Sequence, residues 1–203
     1  MLPMNRTFAL LSLLLLLPLF TACERAPEAL PDGAVILAFG DTITYGSGAS
    51  AGKGYPAELE RLVGRKVINA GMPGETSAEG VERLPRVLAE VRPDLVILCH
   101  GGEDMIQELE ALQLIDNLKT MVRLIGEADA ETLMIAVPPP GTYLQPAAFY
   151  AQIARDMKAS IEVNALSNIL SRKGMRGEAI YLTAEGDAAL AAALAKRIKT
   201  VQR

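Results

Sequence analysis

Four short, largely apolar runs recur along the chain, and each stops at a turn rich in glycine or proline. They are Ala34–Phe39 before Gly40, Lys66–Ala70 before Gly71, Leu95–Cys99 before Gly101-Gly102, and Leu133–Val137 before Pro138-Pro139-Pro140. Runs of this length suit buried strands. The stretches between them carry helical signals. Tyr55–Val63 places Leu59, Leu62 and Val63 on one face. Thr76 and Glu79 have capping-box spacing, which opens a helix toward Val91 with Pro85, a kinking residue, inside it. Met105–Ile125 shows the helical period through Ile106, Leu109, Leu112, Ile115, Leu118, Val122 and Ile125. Ala147–Ser160 reads as helix, Ile161–Val163 as a short fifth strand, and Ala184–Val201 as a final helix. In that last helix Glu185 lies in the first turn and Lys196, Arg197 and Lys199 lie near the end, which complements the helix dipole.

Strands that alternate with helices pair in parallel and need cover on both faces. With right-handed crossovers the expected fold is α/β: a flavodoxin-like three-layer α/β/α sandwich with a mainly parallel sheet of about five strands. The 203 residues are enough for one such domain with a sizeable core. Half are hydrophobic and only 4% aromatic, which suits an Ala/Leu/Val-rich sandwich better than an aromatic-lined barrel. The formal net charge is −4 and no basic cluster stands out, so no nucleic-acid partner is expected.

The N-terminus reads as a targeting segment rather than as part of the fold. Arg6 supplies a positive start, and Phe8–Phe20 is a Leu-rich core too short for an ordinary spanning helix. Phe20-Thr21-Ala22-Cys23 resembles a bacterial lipobox, which implies a signal peptide over 1–22, a lipid on Cys23, and a tether over 23–33. Glu24–Gly33 would span roughly 30 Å when extended. The expected location is the bacterial cell envelope, lipid-anchored and facing away from the cytoplasm. Cys99 then has no intrachain partner, and it reads as a small buried hydrophobe.

The domain itself, 34–203, carries its chemistry at strand ends. After the first strand, Gly40-Asp41-Thr42-Ile43-Thr44-Tyr45-Gly46 lifts Thr42 to the sheet's carboxyl end, where ligands sit in open α/β sheets. This segment resembles block I of the GDSL or SGNH esterases and lipases, with Thr42 at the position of the nucleophilic Ser. Val67-Ile68-Asn69-Ala70-Gly71 resembles block II, which implies that the Gly71 N–H helps bind the oxyanion. Gly101-Gly102-Glu103-Asp104 resembles block III, with Glu103 at the position of an oxyanion-binding Asn. The stretch ending in Ala184-Glu185-Gly186 resembles the last block, with Glu178 at the Asp position and Tyr181 at the His position. The resemblance covers nearly the whole domain and implies the same sandwich fold.

Of the family's Ser, Gly, Asn, His and Asp, it retains only the Gly. Each replacement has a physical cost. The extra methyl of Thr42 restricts χ1 and crowds attack. Glu103 puts a carboxylate where negative charge would develop. A neutral Tyr181 phenol is a poor general base. His100, the only His, has two readings: a structural residue near the sheet edge, or a substitute base reaching Thr42. Asp41, Glu103, Asp104 and Glu178 can be read as an oxygen-rich cation site. The preferred reading has Asp41 and Asp104 bonding backbone amides, with no metal and no cofactor. Two functions follow as expectations. One is a catalytically impaired domain that binds a partner or a small ester, lipid or sugar ligand. The other is a divergent esterase acting on acyl or acetyl esters with Thr42 as nucleophile. A purely structural lipoprotein is the third option. No signal of an oligomeric state is visible.

Overall fold

The computed structural model describes residues 30–46, 54–141, 144–177 and 181–199. Five parallel strands form one sheet: β1 (Val35–Gly40), β2 (Lys66–Gly71), β3 (Leu95–Cys99), β4 (Glu131–Ile135) and β5 (Ser160–Glu162), in the order β2-β1-β3-β4-β5. The long helices are α2 (Tyr55–Val63), α3 (Ser77–Val91), α5 (Ala111–Glu127), α6 (Ala148–Met157) and α8 (Ala184–Lys199). Three shorter ones, α1 (Thr42–Tyr45), α4 (Gly102–Ile106) and α7 (Ala165–Leu170), sit beside strand ends. α2 and α7 pack on α8, while α5 packs on α3 and α6, so two helical layers cover the sheet. This is the expected α/β/α sandwich.

The two central strands explain its stability. Every residue of β3 is buried, and β1 is buried from Ile36 onward. Strands covered on both faces must be apolar throughout, which is why these two runs were the plainest in the sequence. Cys99 is free and fully buried, as expected for a residue that packs as a hydrophobe. The capping box of α3 forms: Thr76 accepts from the Glu79 N–H, and the Glu79 carboxylate accepts from the Thr76 N–H at 2.9 Å. α3 runs through Pro85 as one helix.

Several expected boundaries shift, each for a tertiary reason. The stretch Met105–Ile125 is not one helix. α4 ends at Ile106 and α5 begins at Ala111, with Glu108 between them in the left-handed region at φ 54°. Leu109 and Leu112 have the right period but are 47% and 75% exposed; Leu109 belongs to the bend and Leu112 to the exposed side of the first turn of α5, so neither joins the core stripe. β4 starts two residues earlier than its apolar run, because pairing with β3 sets its register at Leu95↔Glu131. The fifth strand likewise begins at Ser160, the partner of Leu133. Helix α6 is shorter at both ends than the expected Ala147–Ser160. Val201 lies outside the described residues, as do Cys23 and Glu178.

One buried carboxylate ties the two ends of the domain's first layer. Asp187 of α8 is 1% exposed, and its Oδ1 accepts from the Tyr55 N–H at the start of α2 at 3.0 Å. Burial raises its carboxyl from 3.8 to about 6. A carboxyl raised on folding binds its proton more tightly in the native state. Its effect is therefore a loss of stability as pH climbs from about 4 through 6, complete by pH 7. The full cost is up to about 3 kcal/mol. Asp187→Asn keeps an acceptor for Tyr55 and should flatten that slope, so that urea unfolding at pH 7 shows the variant about 1–3 kcal/mol more stable than expected from its behaviour at pH 4.5. Identical slopes for variant and parent between pH 4.5 and 7 would exclude this role.

Candidate functional site

In a sheet ordered 2-1-3-4-5 the connections from β1 and β3 leave toward opposite faces, and a crevice opens between their carboxyl ends. The turn after β1 carries Asp41 and Thr42; the turn after β3 carries His100 and Glu103. Gly40 permits the close approach of these two ends, since a Cβ there would lie 2.0 Å from the Cys99 carbonyl oxygen. Asp41 is fully buried. Its Oδ1 accepts from the Ile43 N–H at 3.2 Å, and its Oδ2 accepts from the Gly102 N–H at 3.0 Å. Burial raises this carboxyl to about 6, a shift that the two amide donors oppose. Asp104 is also buried and accepts from the Ser77 N–H at 2.8 Å and from the Ser77 hydroxyl. Asn117 in turn donates to the Ser77 hydroxyl at 2.9 Å. Both aspartates thus hold backbone amides, as the preferred sequence reading has it, though Asp104 serves α3 and not its own turn.

Thr42 and Glu103 meet directly. The Thr42 hydroxyl donates to Glu103 Oε1 at 2.6 Å, and Thr42 Oγ1 accepts from the Gly74 N–H at 2.9 Å. Thr42 is 3% exposed. A hydroxyl has one proton to give, and here the carboxylate takes it. Gly71 ends β2 opposite Gly40 and lies against α1, where a Cβ would sit 2.1 Å from the Tyr45 nitrogen. Its own N–H donates to Asn69 Oδ1 at 2.8 Å. Thr42, Gly71 and Glu103 therefore share the carboxyl-end mouth. Tyr181 lies in the segment leading to α8 and accepts through its carbonyl from the Gly177 N–H at 2.9 Å. Among the described residues no hydrogen bond joins its phenol to Thr42 or Glu103.

His100 takes its structural reading. Its ring is fully buried, Nδ1 accepts from the Gly101 N–H at 3.1 Å, and Nε2 lies 3.1 Å from Glu75 Oε2. With Nδ1 accepting, Nε2 carries the proton and donates to Glu75. Neither nitrogen is directed to Thr42. Glu75 is 5% exposed and also accepts two hydrogen bonds from Arg83. Burial raises the Glu75 carboxyl, but Arg83 and His100 outweigh that and hold it below the usual range. The Arg83 guanidinium lies 4.2 Å over the Phe39 ring and donates to the Ala70 carbonyl at 3.0 Å.

This Arg83–Glu75–His100 chain fixes the turn that presents Gly74 to Thr42, and sequence reading missed it. The one available signal was position: Arg83 falls beside Leu84 and Val87 on the apolar side of α3, where an unpaired cation would be costly. Glu75→Ala would leave Arg83 and the His100 N–H without their shared acceptor inside the protein. The expected loss is about 3–5 kcal/mol in urea unfolding, with Glu75→Gln costing less because an oxygen acceptor remains. A loss under about 1 kcal/mol for Glu75→Ala would mean that the turn is held by other contacts.

The geometry invites comparison with known proteins. Residues 38–197 match the model of the GDSL-like Lipase/Acylhydrolase family. Esterase TesA of Pseudomonas aeruginosa is 33% identical over 113 residues, covering 53% of this chain and 56% of that protein. Thioesterase 1/protease 1/lysophospholipase L1 of Escherichia coli is 31% identical over 110 residues, 53% of each chain. The chain thus spans little more than half the length of these relatives. A crystal structure of TesA superposes with a TM-score of 0.75 at 25% identity, over 82% of this chain and 99% of that one. The psychrotrophic esterase EstA from Pseudoalteromonas sp. superposes with a TM-score of 0.74 at 20% identity, over 82% of this chain and 97% of its own, a likeness of fold. With the family model matched from β1 to α8 and the same sandwich in its solved relatives, the chain belongs to the GDSL-like lipase/acylhydrolase family.

Proposed function

We propose that this chain is an envelope lipoprotein whose GDSL-type domain binds a ligand or partner and hydrolyses esters at or near background. The observation that carries the reading is the bond between the Thr42 hydroxyl and Glu103 at 2.6 Å. It places an anion beside the hydroxyl that would have to attack a carbonyl. Negative charge that developed there would meet a carboxylate instead of a donor. The one His is committed to Glu75 and Gly101, and the Gly71 N–H is committed to Asn69. Base, oxyanion donor and nucleophile are impaired separately, and losing a whole catalytic unit costs up to about 10⁶ in rate.

The esterase reading has one observation in its favour. A hydroxyl 2.6 Å from a carboxylate is within the reach that links a nucleophile to a general base. Under that reading Thr42 attacks the ester and Glu103 takes its proton, although a carboxylate is a much weaker base than an imidazole. The ester substrates named for the relatives belong to those proteins, and this reading alone would extend them here.

A rate assay on short-chain aryl esters, with Thr42→Ala as control, separates the two. Wild type and Thr42→Ala should both run near background. Tyr181→His alone should recover little. Thr42→Ser, Glu103→Asn, Glu178→Asp and Tyr181→His together should recover far more than the sum of the single changes, because the groups act as a unit. If wild type turns over an ester well and both Thr42→Ala and Glu103→Gln abolish it, the impaired reading is wrong.

The export part of the proposal rests on the lipobox-like Phe20-Thr21-Ala22-Cys23. Mass spectrometry of the membrane fraction should find Cys23 as the first mature residue, carrying lipid. A mature N-terminus elsewhere, or complete release by washing, would count against the anchor.

A further inference from the structure

Two consecutive amides open α4, and each is held by a fully buried side chain that can take a proton. The Gly101 N–H donates to His100 Nδ1 at 3.1 Å, and the Gly102 N–H donates to Asp41 Oδ2 at 3.0 Å. Asp41 and His100 are both 0% exposed. The next residue is Glu103, whose carboxylate takes the Thr42 hydroxyl. One residue further, Asp104 ties α4 to α3 through the Ser77 N–H and hydroxyl. The first amides of α4 thus depend on Asp41 and His100, and its far side depends on Ser77. Both amide acceptors fail when protonated. His100 already gives its Nε2 proton to Glu75, so a second proton can go only to Nδ1, where it would face the Gly101 N–H. A proton on Asp41 leaves one carbonyl oxygen for two amides, Ile43 and Gly102. The Ile43 bond lies within the turn of Asp41 itself, so the bond across to Gly102 is the one given up.

We infer that Asp41 and His100 form an acid-released latch on the start of α4: protonated, they let go of the Gly102 and Gly101 amides, and Glu103 swings off Thr42. The Thr42–Glu103 bond then closes the mouth near neutral pH, and the mouth opens in mild acid. The inference adds regulation to the binding reading above and rests on that reading for its biological sense. The surrounding charges agree with it. His100 faces the Glu75 carboxylate directly, with Arg83 behind it, Glu79 on α3 and Asp41 across the turn. An imidazolium there would keep an anion at hydrogen-bond distance, which offsets part of the cost of burying its charge. Asp41 faces Glu103, Cys99, Tyr55 and Tyr150 besides His100. Burial pushes the Cys99 thiol and the Tyr55 and Tyr150 phenols well up, so these three stay protonated throughout. Burial also raises the Asp41 carboxyl to about 6. A carboxyl raised by folding takes its proton with no loss of overall stability, so the release is local to the turn.

Solution NMR of the purified, tag-free protein tests this, because His100 is its only His and the imidazole signals belong to it alone. Between about pH 7.5 and about pH 5 the ring should pass from the Nε2–H form to the form protonated on both nitrogens. Over the same range the protection of the Gly101 and Gly102 amides against hydrogen exchange, corrected for the intrinsic rate, should fall about tenfold. Protection at Ile97 and Leu98 in β3 should hold. Cross-relaxation between the Thr42 methyl and the Glu103 methylenes should fade together with the amide protection. Asp41→Asn puts an N–H donor where one amide needs an acceptor, so its Gly102 amide should be released already at about pH 7.5. Glu103→Gln, at a half-buried position outside the latch, should leave the pH response of both amides in place. The wild-type titration decides by itself should Asp41→Asn fail to fold. The latch is overturned if His100 keeps a single ring proton down to about pH 5, or if only one of the two amides loses protection. It is equally overturned if Ile97 and Leu98 lose protection to the same degree, if the Thr42–Glu103 contact survives amide release, or if Glu103→Gln abolishes the response. None of these readouts involves an ester. Ester turnover by wild type would remove the impaired reading and leave the latch standing, while a flat titration with inert esters would remove only the latch.

Discussion

The mouth of this domain depends on the buried carboxylate of Asp41. It accepts one amide from its own turn, Ile43, and one from the turn after β3, Gly102. Those two turns leave the sheet in different directions, and without a shared acceptor their first N–H groups would be buried and unpaired. Hydrogen bonds to a charged group are worth about 1.5–3 kcal/mol each. The residues next in sequence, Thr42 and Glu103, are therefore delivered to each other. The contact between them is a consequence of the scaffold bond, and the scaffold bond is a consequence of where β1 and β3 end.

Charge in the site is distributed by the same logic. Four carboxylates near the mouth have three kinds of partner. Asp41 and Asp104 take backbone amides, Glu75 takes a cation and an imidazole, and Glu103 takes a hydroxyl. His100, which from sequence alone stands as a candidate base, is absorbed by the second of these arrangements. Its position beneath Gly80 leaves little room, since a Cβ on that glycine would lie 2.5 Å from Nε2. A catalytic imidazole needs one nitrogen free to receive a proton from the nucleophile. Here both nitrogens are bonded to groups that hold the β2–α3 turn and the start of α4. The hydroxyl, the imidazole and the amides are all present at the mouth, but each is satisfied by a neighbour that serves the fold.

The apolar surface follows a different pattern from the core. Tyr45, Met72, Ile106, Leu109 and Leu112 are the exposed large hydrophobics among the described residues, and all lie beyond the carboxyl ends of the strands. None sits on the opposite pole, where Arg65 anchors the entering chain through the Pro31 carbonyl at 3.1 Å. Core burial therefore accounts for the apolar residues of the strands and of the long helices' inner faces, while the mouth keeps the rest. The domain has an apolar rim around a site whose polar groups are already paired.

The sequence by itself determined the architecture. Alternating apolar runs and helical periods require a parallel sheet with two covering layers, because only parallel pairing accommodates a helix between each strand and the next. The turns after β1 and β3 were legible as the site for the same reason, since strand ends in such a sheet fall on one side. What only the tertiary structure decided is which polar atoms meet. Periodicity joined Ile106, Leu109 and Leu112 to the stripe of α5, yet the chain has to bend at Glu108 after bringing Glu103 to Thr42. Glu75 and Arg83 are eight residues apart and His100 lies twenty-five from Glu75, so their bond depends on the packing of α3 against the sheet. Hydrophobic patterns are local and survive in one dimension; hydrogen-bond partners are chosen by distance in three.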